Sequence, residues 1–187
     1  MEDQEFETNA IRMQMPRSEN LEHSTPLYLT SSFVFEDAED MRASFAEEKE
    51  RNIYSRYANP NTSELIQKIC TMEGAASGFA FASGMAAVYS TFAALLESGD
   101  HIVSCASVFG STLSLYTNFF PKWQISTDLF HVNATSKEIE KLIKPQTKVI
   151  YVESPTNPGV DVLDLQMVGD LAKKHGLILI VDKLEII

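Results

Sequence analysis

The residues able to do chemistry lie in a few short segments and form no single catalytic signature. Ser83-Gly84-Met85 places a small residue where an apolar stretch gives way to a helical pattern. A glycine there permits close backbone approach, and the amides of a helix start suit a phosphate. A tight strand-to-helix turn asks for the same small residue, so that segment alone decides nothing. Glu153-Ser154-Pro155-Thr156-Asn157-Pro158 follows an apolar strand. Its prolines stiffen the loop and can hold Asn157 in one orientation, though an ordinary proline-rich turn reads the same way. Asp182 closes the apolar run Leu177 to Val181. A carboxylate there needs a cationic or hydrogen-bonding partner, unless it is a surface residue or the N-cap of a following helix. Tyr54-Ser55-Arg56-Tyr57 offers a guanidinium between phenols. Arginine suits bidentate recognition of phosphate or carboxylate, and a solvated arm residue is the plain alternative.

Other chemistries find little support. The chain has no GxGxxG, no GxxxxGK[ST], no HExxH and no GxSxG, which removes most of the case for dinucleotide, nucleoside triphosphate, zinc-hydrolase or serine-hydrolase sites. His23, His101, His131 and His175 show no paired spacing, so no metal is expected. Cys70 and Cys105 lie far apart without a CxxC, which points to a reducing compartment. The 187 residues are 44% hydrophobic and 22% charged, a folded-domain composition. Fifteen Lys and Arg against 26 Asp and Glu give a net charge of -11, which argues against a nucleic-acid partner. No apolar run approaches the roughly 20 residues of a membrane span, and Met1 to Glu5 is acidic, unlike an export signal. A soluble cytoplasmic protein without a membrane partner is expected.

The elements that must position these residues follow a regular order from about residue 59. Residues 1–35 carry little periodicity, and Ser24 to Phe33 looks extended, an arm that packs on another surface. Asp37 to Arg51 reads as a short surface helix. Asn61, with Glu64 three residues on, should open a helix bearing Leu65, Ile66, Ile69 and Met72 on one face. Gly78 to Ala82 reads as a short buried strand, followed by a helix from Ser83-Gly84 through Leu96. Strands are expected at His101–Cys105, Ile125–Phe130, Lys148–Val152 and Leu177–Val181. Between them come helices at Ser111–Phe119, after a Thr135/Glu138 capping box, and at Asp164–His175. Alternating apolar strands and helices predict an α/β fold, a mostly parallel sheet sandwiched by helices. Residue types alone point to a ligand-binding α/β domain compatible with a phosphate-bearing cofactor.

Together the segments Thr25-Pro26-Leu27-Tyr28, Tyr54 to Pro60, Ala82 to Ala87, Val108-Phe109-Gly110-Ser111-Thr112, Glu153 to Pro158 and Val181-Asp182 resemble the Cys/Met-metabolism family of pyridoxal-phosphate enzymes. The Phe-Gly-Ser-Thr segment looks most like its homoserine-ester sulfhydrylases, with cystathionine γ-synthase a near relative. The resemblance implies a fold-type-I-like transferase domain over residues 59–187, incomplete, preceded by an arm over 1–58 that contributes to a neighbouring subunit's site. It implies that Ser83, Gly84 and Met85 bind the cofactor phosphate region and that Tyr54 and Arg56 reach it from that neighbour. Phe109 would stack on the pyridine ring, Asn157 would sit beside its hydroxyl, and Asp182 would pair with its nitrogen. Tyr54, Phe109 and Asp182 are the implied catalytic residues. The implied reaction is γ-replacement on an O-acylhomoserine by sulfide or a thiol, giving homocysteine or cystathionine, in a homo-oligomer built as a dimer of dimers. A cystathionine or methionine lyase is the alternative within the family. A non-catalytic cofactor-binding or oligomer-interface module is the alternative outside it.

Two departures from the family pattern stand out. Many relatives have tyrosine where Phe109 stands, and phenylalanine keeps the ring face without the hydroxyl. After Val181-Asp182 the family continues Asn-Thr, whereas this chain reads Lys183-Leu184-Glu185-Ile186-Ile187. The Schiff-base lysine and the C-terminal domain are therefore expected to be missing, the chain to be a fragment, and its own turnover to be slight. Strand alternation turns Lys183 away from the side Asp182 faces, so Lys183 is not expected to replace that lysine.

Overall fold

A computed structural model describes residues 6–183, and the chain divides into two compact units between Ala80 and Phe81. In the first, α1 (Phe6–Arg12) is a helix the sequence reading did not foresee. It packs against α3 (Pro60–Glu73), so contact with another element, absent from local periodicity, supports it. Helix α2 (Ala38–Phe45) is shorter than the Asp37–Arg51 expectation. Glu47 takes a left-handed φ of 59°. The chain then doubles back so that Lys49, Nζ at 2.6 Å, and Arg51 both engage Asp40. The Lys49 hydrogen bond and a backbone amide, with both cations nearby, hold the Asp40 carboxyl down at about 2.

The start of α3 also differs from expectation. Asn59 is the N-cap, accepting from the Asn61 amide over 3.0 Å, with Pro60 in the first helical position. The Asn61 side chain instead bonds the Pro26 carbonyl and the Tyr28 amide, each at 2.8 Å. Glu64 accepts from the Met15 amide and the Thr25 hydroxyl. The polar pair that resembles a capping box is thus used to fasten residues 15–28.

The second unit is an α/β layer structure. Strands β1 (His101–Cys105), β2 (Ser126–Phe130), β3 (Thr147–Glu153) and β4 (Ile178–Asp182) are all parallel, in the order β2-β1-β3-β4. Every residue of β1 is buried and all of β3 but Lys148, whereas the flanking β2 and β4 are only partly covered. The apolar stretches Ile102-Val103 of β1 and Val149 to Val152 of β3 are what a strand covered on both faces requires. Helix α4 (Gly84–Leu95) leads into β1, and the crossovers carry α5 (Gly110–Ser114), α6 (Ser136–Glu140) and α7 (Leu165–His175). Thr135 and Glu138 form the capping box expected for α6. Gly176 ends α7 at φ 64°, a conformation that costs a side-chain-bearing residue roughly 1 kcal/mol or more.

The helix expected over Ser111–Phe119 is a composite. After α5 comes a π turn, Leu115–Phe119, and a 3-10 turn, Phe120–Trp123. The widened turn puts both Tyr116 and Phe120 against Phe92 of α4, with ring centroids 5.9 and 5.3 Å away. Periodicity at 3.6 residues cannot announce that insertion. The strand expected over Gly78–Ala82 is not formed. A strand exists through its ladder, and among the described residues none pairs with this segment; Phe79 is 88% exposed.

Candidate functional site

Parallel sheets receive ligands beyond the carboxyl ends of their strands. Here β1, β3 and β4 bring side chains to that edge. Register sets their relation: Glu153 pairs with Asp182 and Tyr151 with Ile180. Alternation places Tyr151 and Glu153 on one face of β3, and Ile180 and Asp182 on the matching face of β4. The Tyr151 phenol therefore reaches diagonally along the ladder and donates to Asp182 Oδ2 over 2.6 Å. Tyr151 is 1% exposed and Asp182 8%. Burial first, and then the bond to the Asp182 carboxylate, push the Tyr151 phenol far above its ordinary pKa. Tyr116 beside it is also pushed up, chiefly by burial, and its oxygen accepts from Ser104 Oγ over 3.2 Å.

The other ligand-facing groups come from turns. Phe109 is the residue before α5, and its amide donates to Glu153 Oε2 over 2.7 Å. Its ring is 41% exposed. Ser83 is the N-cap of α4, accepting from the Ala86 amide at 3.2 Å. The first amides of a helix have no intrahelical acceptor, so Gly84 and Met85 present theirs at the positive end of α4. A cavity of about 230 Å³ extends from Gly84 past Phe92 and Tyr151 to Val181, Asp182 and Lys183. Gly84 and Asp182 thus line one space. The Met85 sulfur lies 3.9 Å from Thr112 Oγ1 of α5. Asn157 sits in the loop after β3, beside Thr156, whose amide donates to the Asp161 carbonyl at 2.9 Å.

Lys183, an exposed residue, follows the last residue of β4 and is among the residues that line the cavity with Ile180, Val181 and Asp182. Leu184 to Ile187, the rest of the departure from the family pattern, lie outside the described residues. Tyr54 and Arg56 belong to the first unit, where the Arg56 guanidinium lies 5.3 Å over the Tyr54 ring and 5.4 Å over Tyr57. Sequence reasoning passed over Tyr151 and gave Thr112 and Glu153 no role of their own. A tyrosine inside an apolar strand was a usable signal, since a buried phenol must find a partner.

Chemically, this edge joins a buried carboxylate, the amino end of a helix and an exposed aromatic ring. The sequence profile of the Cys/Met metabolism PLP-dependent enzyme family matches residues 7–184. The chain belongs to this family. It is 39% identical over 177 residues to an O-succinylhomoserine sulfhydrylase of Pseudomonas aeruginosa, an alignment covering 95% of this chain and 44% of that protein. It is 41% identical over 129 residues to a cystathionine gamma-lyase of Bacillus subtilis, covering 69% of this chain and 34% of the relative. A Campylobacter jejuni structure containing N'-pyridoxyl-lysine-5'-monophosphate superposes with a TM-score of 0.90 at 30% identity, covering 97% of this chain and 44% of that one. The chain therefore spans less than half the length of these family members.

Pyridoxal phosphate is the cofactor of the family, and the residues present fit it. The Asp182 carboxylate, bonded by Tyr151, offers a partner for a protonated ring nitrogen, and the amino end of α4 on the same cavity suits a phosphate. Among the described residues no helix is long and apolar enough to cross a membrane.

Proposed function

We propose that this chain is the cofactor-holding part of a pyridoxal-phosphate enzyme performing γ-replacement on an O-acylhomoserine. The carboxylate leaves Cγ and the sulfur of sulfide or a thiol takes its place, giving homocysteine or, with cysteine, cystathionine. Bound pyridoxal phosphate supplies the electron sink that makes the substrate's Cα and Cβ protons acidic. Asp182 keeps a proton on the ring nitrogen. The Gly84 and Met85 amides bind the phosphate, with Ser83 fixing the turn that presents them. Phe109 covers the ring face, and Asn157 orients the ring hydroxyl and the substrate carboxylate. Tyr54 and Arg56, on an arm over residues 1–58, reach the phosphate of a second copy, so that the working form is an oligomer.

The observation that carries this reading is the Asp182 carboxylate, held by Tyr151 on the cavity that Gly84 also lines. The choice of replacement over elimination draws on Phe109, which lacks the hydroxyl a tyrosine would offer for proton transfer, and on the likeness to the Pseudomonas sulfhydrylase. The likeness to the Bacillus lyase favours γ-elimination as the second reading. Incubation of the full-length enzyme that contains this chain with O-succinyl- or O-acetylhomoserine, each with sulfide or cysteine, separates them. Homocysteine or cystathionine is the expected product; a 2-oxo acid and ammonia formed equally without thiol would assign the lyase reaction. Borohydride reduction with pyridoxal phosphate and peptide mass mapping would show whether a lysine within residues 1–187 takes the cofactor; none is expected to.

A further inference from the structure

Behind Asp182 lies a buried phenol. Tyr151 of β3 donates to Asp182 Oδ2 of β4 over 2.6 Å, joining two elements through residues 31 apart in sequence. The Tyr151 ring packs against Phe92 and Tyr116, with centroids 5.2 and 6.3 Å away, which fixes the place of its phenol oxygen. An unconstrained aspartate rotates about its side-chain torsions and offers either oxygen to water. A carboxylate with Oδ2 already engaged by a rigid donor is held in one plane.

We propose that Tyr151 is the positioning residue of Asp182, holding the carboxylate oriented toward the protonated nitrogen of an aromatic ring. This rests on the reading of Asp182 as the partner of the pyridoxal-phosphate ring nitrogen.

The test is a double-mutant cycle on pyridoxal-phosphate affinity, measured by absorbance titration of the full chain, with thermal midpoints of the cofactor-free proteins alongside. Tyr151→Phe keeps the ring and removes the donor. It is expected to weaken binding about tenfold, the size of a lost hydrogen bond to a charged group. Asp182→Asn is expected to weaken it further, and adding Tyr151→Phe to it should change little more, because the two act through one interaction. If Tyr151→Phe fails to fold, Asp182→Glu carries the test, since it keeps the carboxylate and moves it off the Tyr151 donor: several-fold weaker binding is expected, and wild-type binding by it overturns the positioning role. Wild-type binding by Tyr151→Phe, with Asp182→Asn impaired, overturns the positioning role and leaves the reading of Asp182 standing. Independent, multiplicative losses in the double variant overturn it too. Wild-type binding by Asp182→Asn, or no binding by the wild-type chain, overturns the reading of Asp182 and the positioning role with it.

Discussion

The backbone amide of Phe109 donates to Glu153 Oε2 over 2.7 Å, tying the turn after β1 to the last residue of β3. The bond fixes where the exposed ring of Phe109 begins, because α5 starts at the next residue. Glu153 is buried and stands opposite Asp182 in the β3–β4 ladder. One strand end therefore governs both the ring-bearing turn and the neighbourhood of the carboxylate.

Glu153→Ala should accordingly do two things at once. Removing this buried acceptor leaves the Phe109 amide unpaired, at a cost of about 1–3 kcal/mol, read as a lower urea midpoint. Cofactor affinity should fall as well. Glu153→Gln, which keeps an acceptor of the same shape, should recover most of the stability.

Phe109→Tyr tests the reaction preference. The ring stays and a hydroxyl returns. The expected outcome is a larger share of elimination, measured as the ratio of 2-oxo acid to homocysteine when an O-acylhomoserine and sulfide are supplied together to active enzyme. An unchanged ratio would remove Phe109 from the argument for a sulfhydrylase.

Phe92 lies at the centre of the aromatic cluster, with Tyr116, Phe120 and Tyr151 rings 5.2 to 5.9 Å away. Phe92→Ala should destabilise the second unit by about 3–5 kcal/mol, measured by denaturant unfolding. It should also weaken cofactor binding, since the clamp on Tyr151 is lost. Phe92→Leu should be milder on both counts.

The opposite end of the sheet carries a pH response. His101 is fully buried at the start of β1, with Nδ1 2.8 Å from Thr147 Oγ1 and Nε2 3.4 Å from Asp128, which Lys144 also engages at 2.6 Å. Burial, aided by Lys144 and opposed by Asp128, holds the His101 pKa below its ordinary value. The unfolded chain therefore takes up a proton that the folded chain resists. Stability from His101 is complete above the unfolded value of about 6.5 and is lost as pH falls from there toward the lower folded value. Thermal midpoints between pH 7 and 5 should decline, and His101→Gln should flatten that slope.

The sequence made the parallel layer legible because its signals are local. Five-residue apolar strands, the Thr135/Glu138 box and the Lys173-Lys174-His175-Gly176 ending of α7 each declare themselves within a few residues. The misreadings are places where a distant partner decides. Asn61 and Glu64 look like a helix start but fasten residues 15–28. Gly78–Ala82 has strand composition without a ladder. At the site, Gly84 and Asp182 were legible from strand-end and helix-start logic. The Tyr151–Asp182 bond was not, because diagonal reach across a ladder depends on register, which neither strand encodes alone.

That bond and its companion span 31 and 44 residues of sequence, Tyr151 to Asp182 and Phe109 to Glu153. Neither is local in sequence; one joins β3 to β4 and the other joins the turn after β1 to β3, so that together they span the β1–β3–β4 layer. A cofactor that binds only this completed edge raises the stability of the entire layer by mass action. Pyridoxal phosphate would then behave as a folding ligand, protecting strands it never touches from proteolysis and amide exchange.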